Sequence, residues 1–500
     1  LKLSNATKTH QVELDDYQKN LRSIVRRLRE STKARLVFAN TTPILDDRHA
    51  RRKADFDRSE DDVLRYNAEA ERVMAELGIA VHDLHGLVQS GGAEALLGSD
   101  GTHYTPSGNE LLATAVTDCL KRQLTLLAWK PMTRPASGPE AARAYQKSQH
   151  ERDALVPSLY KTLAIPDFPI PSSREDWTKR RPEVLRTVVA TLGDLPPRPS
   201  PKTARVIARE IHPEFLLERV QMPDPHGGGV PALLLLPRRR AEEATLPAIL
   251  WLHSSTPDKS QILIPDTNGG AEPLGLTFVR AGYAVLAPDA FWHGDRVGTG
   301  PSGMAETGRT EHETLHKFHL WMGRTLWGMF VRDDQIALDY LCSRPEVDAA
   351  RIGATGISMG STRAWWLAAV DERVAAVVGV ACLTRYQNLI RHGELRQHGV
   401  YYFVDGLLKS FDIEGVLALI APRPYLALTG ELDAGSPADG IQEIEGVLTR
   451  LYTNLGAKDA FRNVLYPEIG HEYTPTMRKE MLTWFERWLK PGTSASPRRD

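Results

Sequence analysis

Gly356-Ile357-Ser358-Met359-Gly360 stands just after the apolar run Arg351 to Ala354 and just before Thr362 to Val370, a helix-forming stretch. A GxSxG between strand and helix makes a tight turn, in which glycines on both flanks let the chain reverse and lift the serine hydroxyl clear of a sheet. Ser358 is therefore the candidate nucleophile. The pentapeptide is short, so the reading takes its weight from what surrounds it.

Working outward, continuous apolar runs alternate with helical patterns. Ala248 to Leu252, Ala284 to Ala287, Ala375 to Val380, Tyr425 to Leu428 and Asn463 to Tyr466 read, with Arg351 to Ala354, as strands buried on both faces of a parallel sheet. Leu326, Met329, Phe330, Ala337, Leu338 and Leu341 recur on one face of a long helix. Upstream, Phe215 to Met222 and Val230 to Leu236 flank a Pro- and Gly-rich turn and predict an antiparallel hairpin.

A serine hydroxyl needs a base to take its proton and an acid to orient that base, and on a sheet of this kind the order is Ser, acid, His. Asp433 follows the strand Tyr425 to Leu428, and His471 follows Asn463 to Tyr466; these are the expected acid and base, with Glu431 the second candidate acid. The oxyanion needs backbone N–H donors. Met359, directly after the nucleophile, is one; Ser255, in the loop His253-Ser254-Ser255-Thr256 after the strand Ala248 to Leu252, is the other, with Ser254 second.

Elbow, triad order and the stretch Ala418 to Pro424 together resemble an α/β-hydrolase of the dienelactone-hydrolase and acetyl-xylan-esterase-like kind. The resemblance implies a serine carboxylic ester hydrolase acting on acylated carbohydrates, without a cofactor. It departs from the glucuronoyl-esterase pattern, which has Arg after the nucleophile where this chain has Met359, and from dienelactone hydrolases proper, which use Cys where this chain has Ser358.

The front of the chain reads as helix Tyr17 to Leu28, strand Arg35 to Ala39, helix Val63 to Leu77, strand Ile79 to Val81 and helix Glu110 to Leu120. Its Asp100-Gly101-Thr102-His103 resembles the acid and base block of SGNH (GDSL-type) hydrolases. That family's serine and oxyanion blocks belong upstream, and nothing between Leu1 and Asp100 matches them, so this part is expected to be catalytically silent. The expected architecture is thus a partial SGNH-like α/β domain over 1–128, a linker and helices over 129–200, an α/β-hydrolase domain with helices on both sheet faces over 201–490, and a tail over 491–500. The start at Leu1, with no signal-peptide pattern, reads as a cropped end; a secreted or periplasmic setting would suit a bacterial carbohydrate esterase.

A rival motif is His312-Glu313-Thr314-Leu315-His316, an HExxH that on a helix places two histidines on one face for zinc, with His319 as a further donor and metallopeptidase chemistry as the consequence. A hydrolase fold retained only as a binding module is the other alternative. Trp292, Tyr401 and Tyr402 are expected to bind substrate, with Phe403 beside them; Asp289 is expected to brace its loop and Trp365 and Trp366 to lie in the core. The 62 Lys and Arg against 63 Asp and Glu leave no electrostatic footprint for nucleic acid. The longest apolar runs fall short of the roughly 18 residues a membrane span needs. The 3 cysteines, Cys119, Cys342 and Cys382, are too far apart for a metal knuckle or disulfide scaffold and read as small buried residues.

Overall fold

Residues 2–32, 34–52, 55–128, 137–224, 228–238, 245–255, 258–265 and 272–490 are described by the structure, a computed structural model. Residues 129–136 of the expected linker region, the turn residues 225–227 and the tail lie outside them. The chain packs as two units: Leu1–Lys130, Arg205–Gln221 and Leu233–Glu242 form one, and Pro131–Ala204, Met222–Ala232 and Glu243–Asp500 form the other.

In the first unit β1 (Val37–Ala39) pairs in parallel with β2 (Ala80–His82). Helices Leu14–Ser31 and Glu60–Glu76 bury Leu21, Val25, Ala70, Val73 and Met74 against Ile79 and Val81. Ser59 caps the second helix by accepting from the Asp62 N–H, and the acidic residues Glu60, Asp61 and Asp62 sit at its positive end. One strand was not evident in the sequence. β3 (Arg205–Ile211) carries Arg205, Arg209 and Glu210, yet it pairs antiparallel with β2 and with β4 (Phe215–Met222). Arg209 Nε donates to Glu218 Oε1 at 3.1 Å across that pair, which is how charged residues are accommodated between strands. The start of the expected 201–490 domain thus packs with the first unit.

The second unit follows the expected pattern. After β5 (Val230–Pro237) come β6 (Leu246–Leu252), β7 (Ala284–Pro288), β8 (Val347–Ile357), β9 (Val374–Val380), β10 (Tyr425–Gly430) and β11 (Phe461–Tyr466). The last six stand in the order β11-β10-β9-β8-β6-β7, all parallel. Helices Leu326–Ser343, Met359–Val370, Ala438–Asn454 and Pro475–Leu489 flank them. A Cβ at Gly353 would collide with Phe485, so the last helix lies flat on β8. Trp365 and Trp366 are buried, as expected of core residues. Beside them Arg363 forms a buried pair with Asp334, Nη2 to Oδ1 at 2.6 Å. From β6 the chain runs out to β7 and returns on the other side to β8. In open α/β sheets ligands bind at the carboxyl ends of the strands, where the order reverses in this way.

Candidate active site

Ser358 immediately precedes helix Met359–Val370 and sits at φ 58°, ψ −120°, a region costly for any residue with a Cβ. Its N–H donates to Val380 O at 2.9 Å. A Cβ at Gly356 or at Gly360 would strike the carbonyl oxygen of Leu252, so both glycines are required for the turn to pass the end of β6. Met359 is the first helical residue, and its N–H is among the donors without an intrahelical partner.

Asp433 and His471 are brought together by two loops stitched to each other. Glu431 N–H donates to Tyr466 O and Leu432 N–H to Ile469 O, at 2.9 and 2.8 Å, and Gly430 leaves room for the carbonyls of Ile469 and Gly470. His471 Nδ1 lies 2.7 Å from Asp433 Oδ2, while Asp433 Oδ1 accepts from the Gly435 N–H at 3.0 Å. Facing the Asp433 carboxylate, His471 titrates above the ordinary imidazole value. Burial pushes Asp433 up, but the charge and hydrogen bond of His471 outweigh it and hold the carboxyl below its usual range. Glu431 is exposed, so the aspartate is the acid that meets the histidine.

The loop after β6 is held by a fully buried imidazole. Ala290 N–H donates to His253 Nε2 at 2.9 Å, so the ring proton is on Nδ1, which faces Ser254 O at 2.6 Å. Burial holds this ring well below the usual value, keeping it neutral. Across a planar trans peptide C=O and N–H point in opposite directions, so tying Ser254 O to His253 turns the Ser255 N–H away from that ring. His293 Nε2 lies 2.7 Å from Ser255 O. Asp289 braces the neighbouring loop, as expected: its Oδ2 takes Lys259 Nζ at 2.5 Å, and Oδ1 takes the Lys259 N–H at 3.0 Å. Thr256 lies outside the described residues.

Trp292, Tyr401 and Tyr402 are buried and form one aromatic wall, with ring centroids 5.1 Å apart for Trp292 and Tyr401 and 4.6 Å for the two tyrosines. Phe403 is exposed. His312 joins this wall, 5.1 Å from the Trp292 ring. This corrects the zinc reading. His312 and His316 do lie one turn apart on helix Arg309–Trp321, but His319 Nδ1 accepts from Arg324 Nε and Glu313 pairs with Arg309. Among the described residues no three His, Cys, Asp or Glu side chains are placed to hold a metal.

Sequence reasoning missed Cys382 as a site residue. Its Sγ lies 3.9 Å from Ser358 Oγ, and burial pushes its thiol up to about 12. A cysteine just beyond a strand carries no signal of its own; only the pairing of β8 with β9 sets it beside the serine. Cys119 is also buried, while Cys342 is partly exposed. In the first unit His103 Nδ1 contacts Asp100 Oδ2, and Asp100 Oδ1 accepts from the N–H groups of Thr102 and His103, which hold its carboxyl far below the usual range.

The parallel sheet, the strained serine turn and the sites at strand ends define an α/β-hydrolase. The family model for the dienelactone hydrolase family matches residues 253–480. Over 315 residues the chain is 34% identical to "Putative hydrolase YtaP" of Bacillus subtilis (strain 168), a match covering 62% of this chain and 100% of that protein. The chain belongs to the dienelactone hydrolase family, and its chemistry is hydrolysis. Among solved structures it is similar to "a putative acetyl xylan esterase" from Bacteroides fragilis NCTC 9343, with 18% identity over 62% of this chain and 80% of that one and a TM-score of 0.50. A glucuronoyl esterase from Solibacter usitatus is also similar, with 19% identity over 64% and 98% and a TM-score of 0.47. The first of these likenesses is one of fold.

Proposed function

We propose that the chain is a serine esterase that cleaves carboxylic esters of acylated carbohydrates, with Ser358, His471 and Asp433 as its catalytic residues. The observation that carries this reading is the 2.7 Å contact between His471 Nδ1 and buried Asp433, two residues that follow successive strands after a serine held at φ 58°. His471 Nε2 takes the Ser358 proton as Oγ attacks the ester carbonyl. The oxyanion is held by the N–H groups of Met359 and Ser255. Collapse expels the alcohol, which takes the proton from His471, and leaves an acyl-serine; a water, deprotonated by the same histidine, then releases the carboxylic acid and restores Ser358. Asp433 keeps the ring proton on Nδ1 and stabilises the imidazolium. Trp292, Tyr401 and Tyr402 offer the aromatic surface against which a sugar ring packs.

In this reading residues 1–128 are the tail of an SGNH fold without a reaction of their own, and 201–490 contain the hydrolase. Turnover of p-nitrophenyl acetate is measured with Ser358→Ala, with His103→Ala, and after treatment with a serine-directed phosphonate or with EDTA. Loss with Ser358→Ala and the phosphonate alone is expected. Turnover that survives Ser358→Ala refutes the assignment, and its loss in His103→Ala would place chemistry in the first unit. No turnover in any sample would favour a binding module.

A further inference from the structure

The loop after β11 that brings His471 to Asp433 is bonded from outside by a segment far upstream in the chain. Within the loop Glu468 sits at φ 58°, a region costly for a residue with a Cβ. Glu472 N–H donates to Gly470 O at 2.9 Å and closes a three-residue turn with His471 at its centre. Ser137 reaches both flanks of that turn: its Oγ accepts from the Gly470 N–H at 3.2 Å and donates to Oε1 of the buried Glu472 carboxylate. The next residue adds a third bond, from the Gly138 N–H to Glu468 O at 2.8 Å. His471 exposes 37% of its side chain, so packing alone does not fix the ring; this turn and the bond to Asp433 set its place.

Helix Pro139–Leu155 follows directly, and Gly138 makes the transition at φ 100°, ψ 179°, a conformation essentially reserved for glycine. None of the helix's residues is buried, so it adds little to the apolar core, and polar bonds fasten it at both ends. At the far end Arg152 Nη2 lies 2.6 Å from Glu394 Oε1, and Asp153 Oδ1 lies 3.0 Å from His392 Nδ1. The segment holding those partners reaches the loop of the acid: His398 Nε2 lies 2.7 Å from Gly435 O, and the Gly435 N–H donates to Asp433 Oδ1. One element is therefore tied to the His471 loop at its start and, through residues 392–398, to the Asp433 loop at its end.

We propose that Ser137 is a positioning residue for the proposed base: its hydroxyl staples the turn centred on His471 and so keeps the imidazole in register with Asp433. The proposal rests on the serine-esterase reading and adds to it the residue that holds its histidine in place. A hydroxyl suits the task because one oxygen can accept from an N–H on one side and donate to a carboxylate on the other. Alanine can do neither, and threonine can do both. Without the staple the strained stretch around Glu468 is free to relax, and the ring drifts from Asp433 on one side and from the serine proton on the other.

The test uses the full chain as wild type, Ser137→Ala, Ser137→Thr and Glu472→Gln, the last weakening the staple at its other end. Two quantities are read: kcat and KM on p-nitrophenyl acetate across pH, and the titration of the His471 ring by NMR of histidine-labelled protein, its signal identified by absence from His471→Gln. Ser137→Ala is expected to lower kcat about tenfold to a hundredfold with KM little changed. Because His471 is raised by Asp433, loosening their contact lets its titration and the rising limb of kcat/KM fall toward the ordinary imidazole value, by about half a pH unit or more. Ser137→Thr restores both, and Glu472→Gln shifts the titration in the same direction. A purely structural role changes the amount of folded protein and leaves the titration where it was, so an unmoved His471 titration in folded Ser137→Ala and Glu472→Gln overturns the proposal, whatever happens to kcat. A shift that Ser137→Thr does not reverse overturns the role of the hydroxyl. A shift that Ser137→Thr reverses, in a protein that turns over no ester, supports the staple and refutes the esterase reading; turnover that depends on Ser358 with no shift in either variant refutes the staple alone.

Discussion

Asp433→Asn removes one charge while keeping the shape of the side chain, and the geometry around it sets the size of the loss. His471 Nδ1 and Asp433 Oδ2 are 2.7 Å apart, which places the charge centres about 4 Å apart; at an effective dielectric of about 20 their attraction is about 4 kcal/mol. Asp433 is buried, but 37% of the His471 side chain is exposed, and screening reduces the figure to about 3 kcal/mol. That alone slows formation of the imidazolium by roughly 10²-fold. A second effect comes from Gly435. Its N–H already donates to Oδ1, so an asparagine keeps its carbonyl oxygen there and turns its amide nitrogen toward His471. Facing a donor, the ring must move its proton to Nε2, the nitrogen that should accept from Ser358. Together the two effects predict a fall in kcat of about 10³- to 10⁴-fold. The assay is kcat on p-nitrophenyl acetate, with circular dichroism and thermal unfolding to show that the fold is kept. A folded variant that loses less than tenfold would refute the argument, and a larger loss in Glu431→Gln would transfer the acid role to that residue.

Because the proposed mechanism uses His471 unprotonated and its pKa is raised by Asp433, kcat/KM should rise with pH through a value above about 6.5, and Asp433→Asn should move that limb down. The same pair sets a stability window. The raised His471 contributes fully below about 6.5 and is lost as pH climbs through its folded value, while the depressed Asp433 contributes fully above about 3.9 and is lost as pH falls. Denaturation midpoints should therefore lie higher at pH 5 than at pH 9 in the wild type, with the difference smaller in Asp433→Asn. Gly360→Ala forces a Cβ into the Leu252 carbonyl and should cost about 1–3 kcal/mol along with activity, whereas Gly446→Ala, in open space on a helix, should gain about 0.5–1 kcal/mol in the same urea titration. Arg363→Met strands the buried carboxylate of Asp334 and should cost about 3–5 kcal/mol, most of it recovered in Arg363→Met with Asp334→Leu.

The parallel sheet was legible because strands buried on both faces must be continuously apolar, and the runs at Ala248, Ala284, Ala375 and Tyr425 have no other simple reading at that length. β3 was concealed for the opposite reason. Arg205-Val206-Ile207-Ala208-Arg209-Glu210-Ile211 shows neither a clean alternation nor an apolar run, and its charges are met by groups outside it, Arg209 by Glu218 on the partner strand and by Gly86 O, Glu210 by His212. A pairing between strands is invisible to a pattern read along one of them.

The site shows the same division. Ser358, Asp433 and His471 stand out in the sequence because the chemistry proposed for them demands those residue types just beyond strands of the sheet, in that order. The groups that brace the loops around them could not be read there. His253 and Lys259 act through the hydrogen bonds that one loop makes to another, and Cys382 through the register of two strands. Backbone strain points to the same region: apart from Lys8 in the first unit, the described non-glycine residues at positive φ are Trp292, Ser358, Ala381, Cys382 and Glu468, all in loops after strands of the second unit. Each pays a conformational penalty that the sequence around it gives no reason to accept. Two of them are held by neighbouring strands, Ser358 through its N–H to Val380 O and Ala381 through its N–H to Leu428 O. Local preference is therefore overruled at the strand ends of the second unit, the region in which the proposed nucleophile lies.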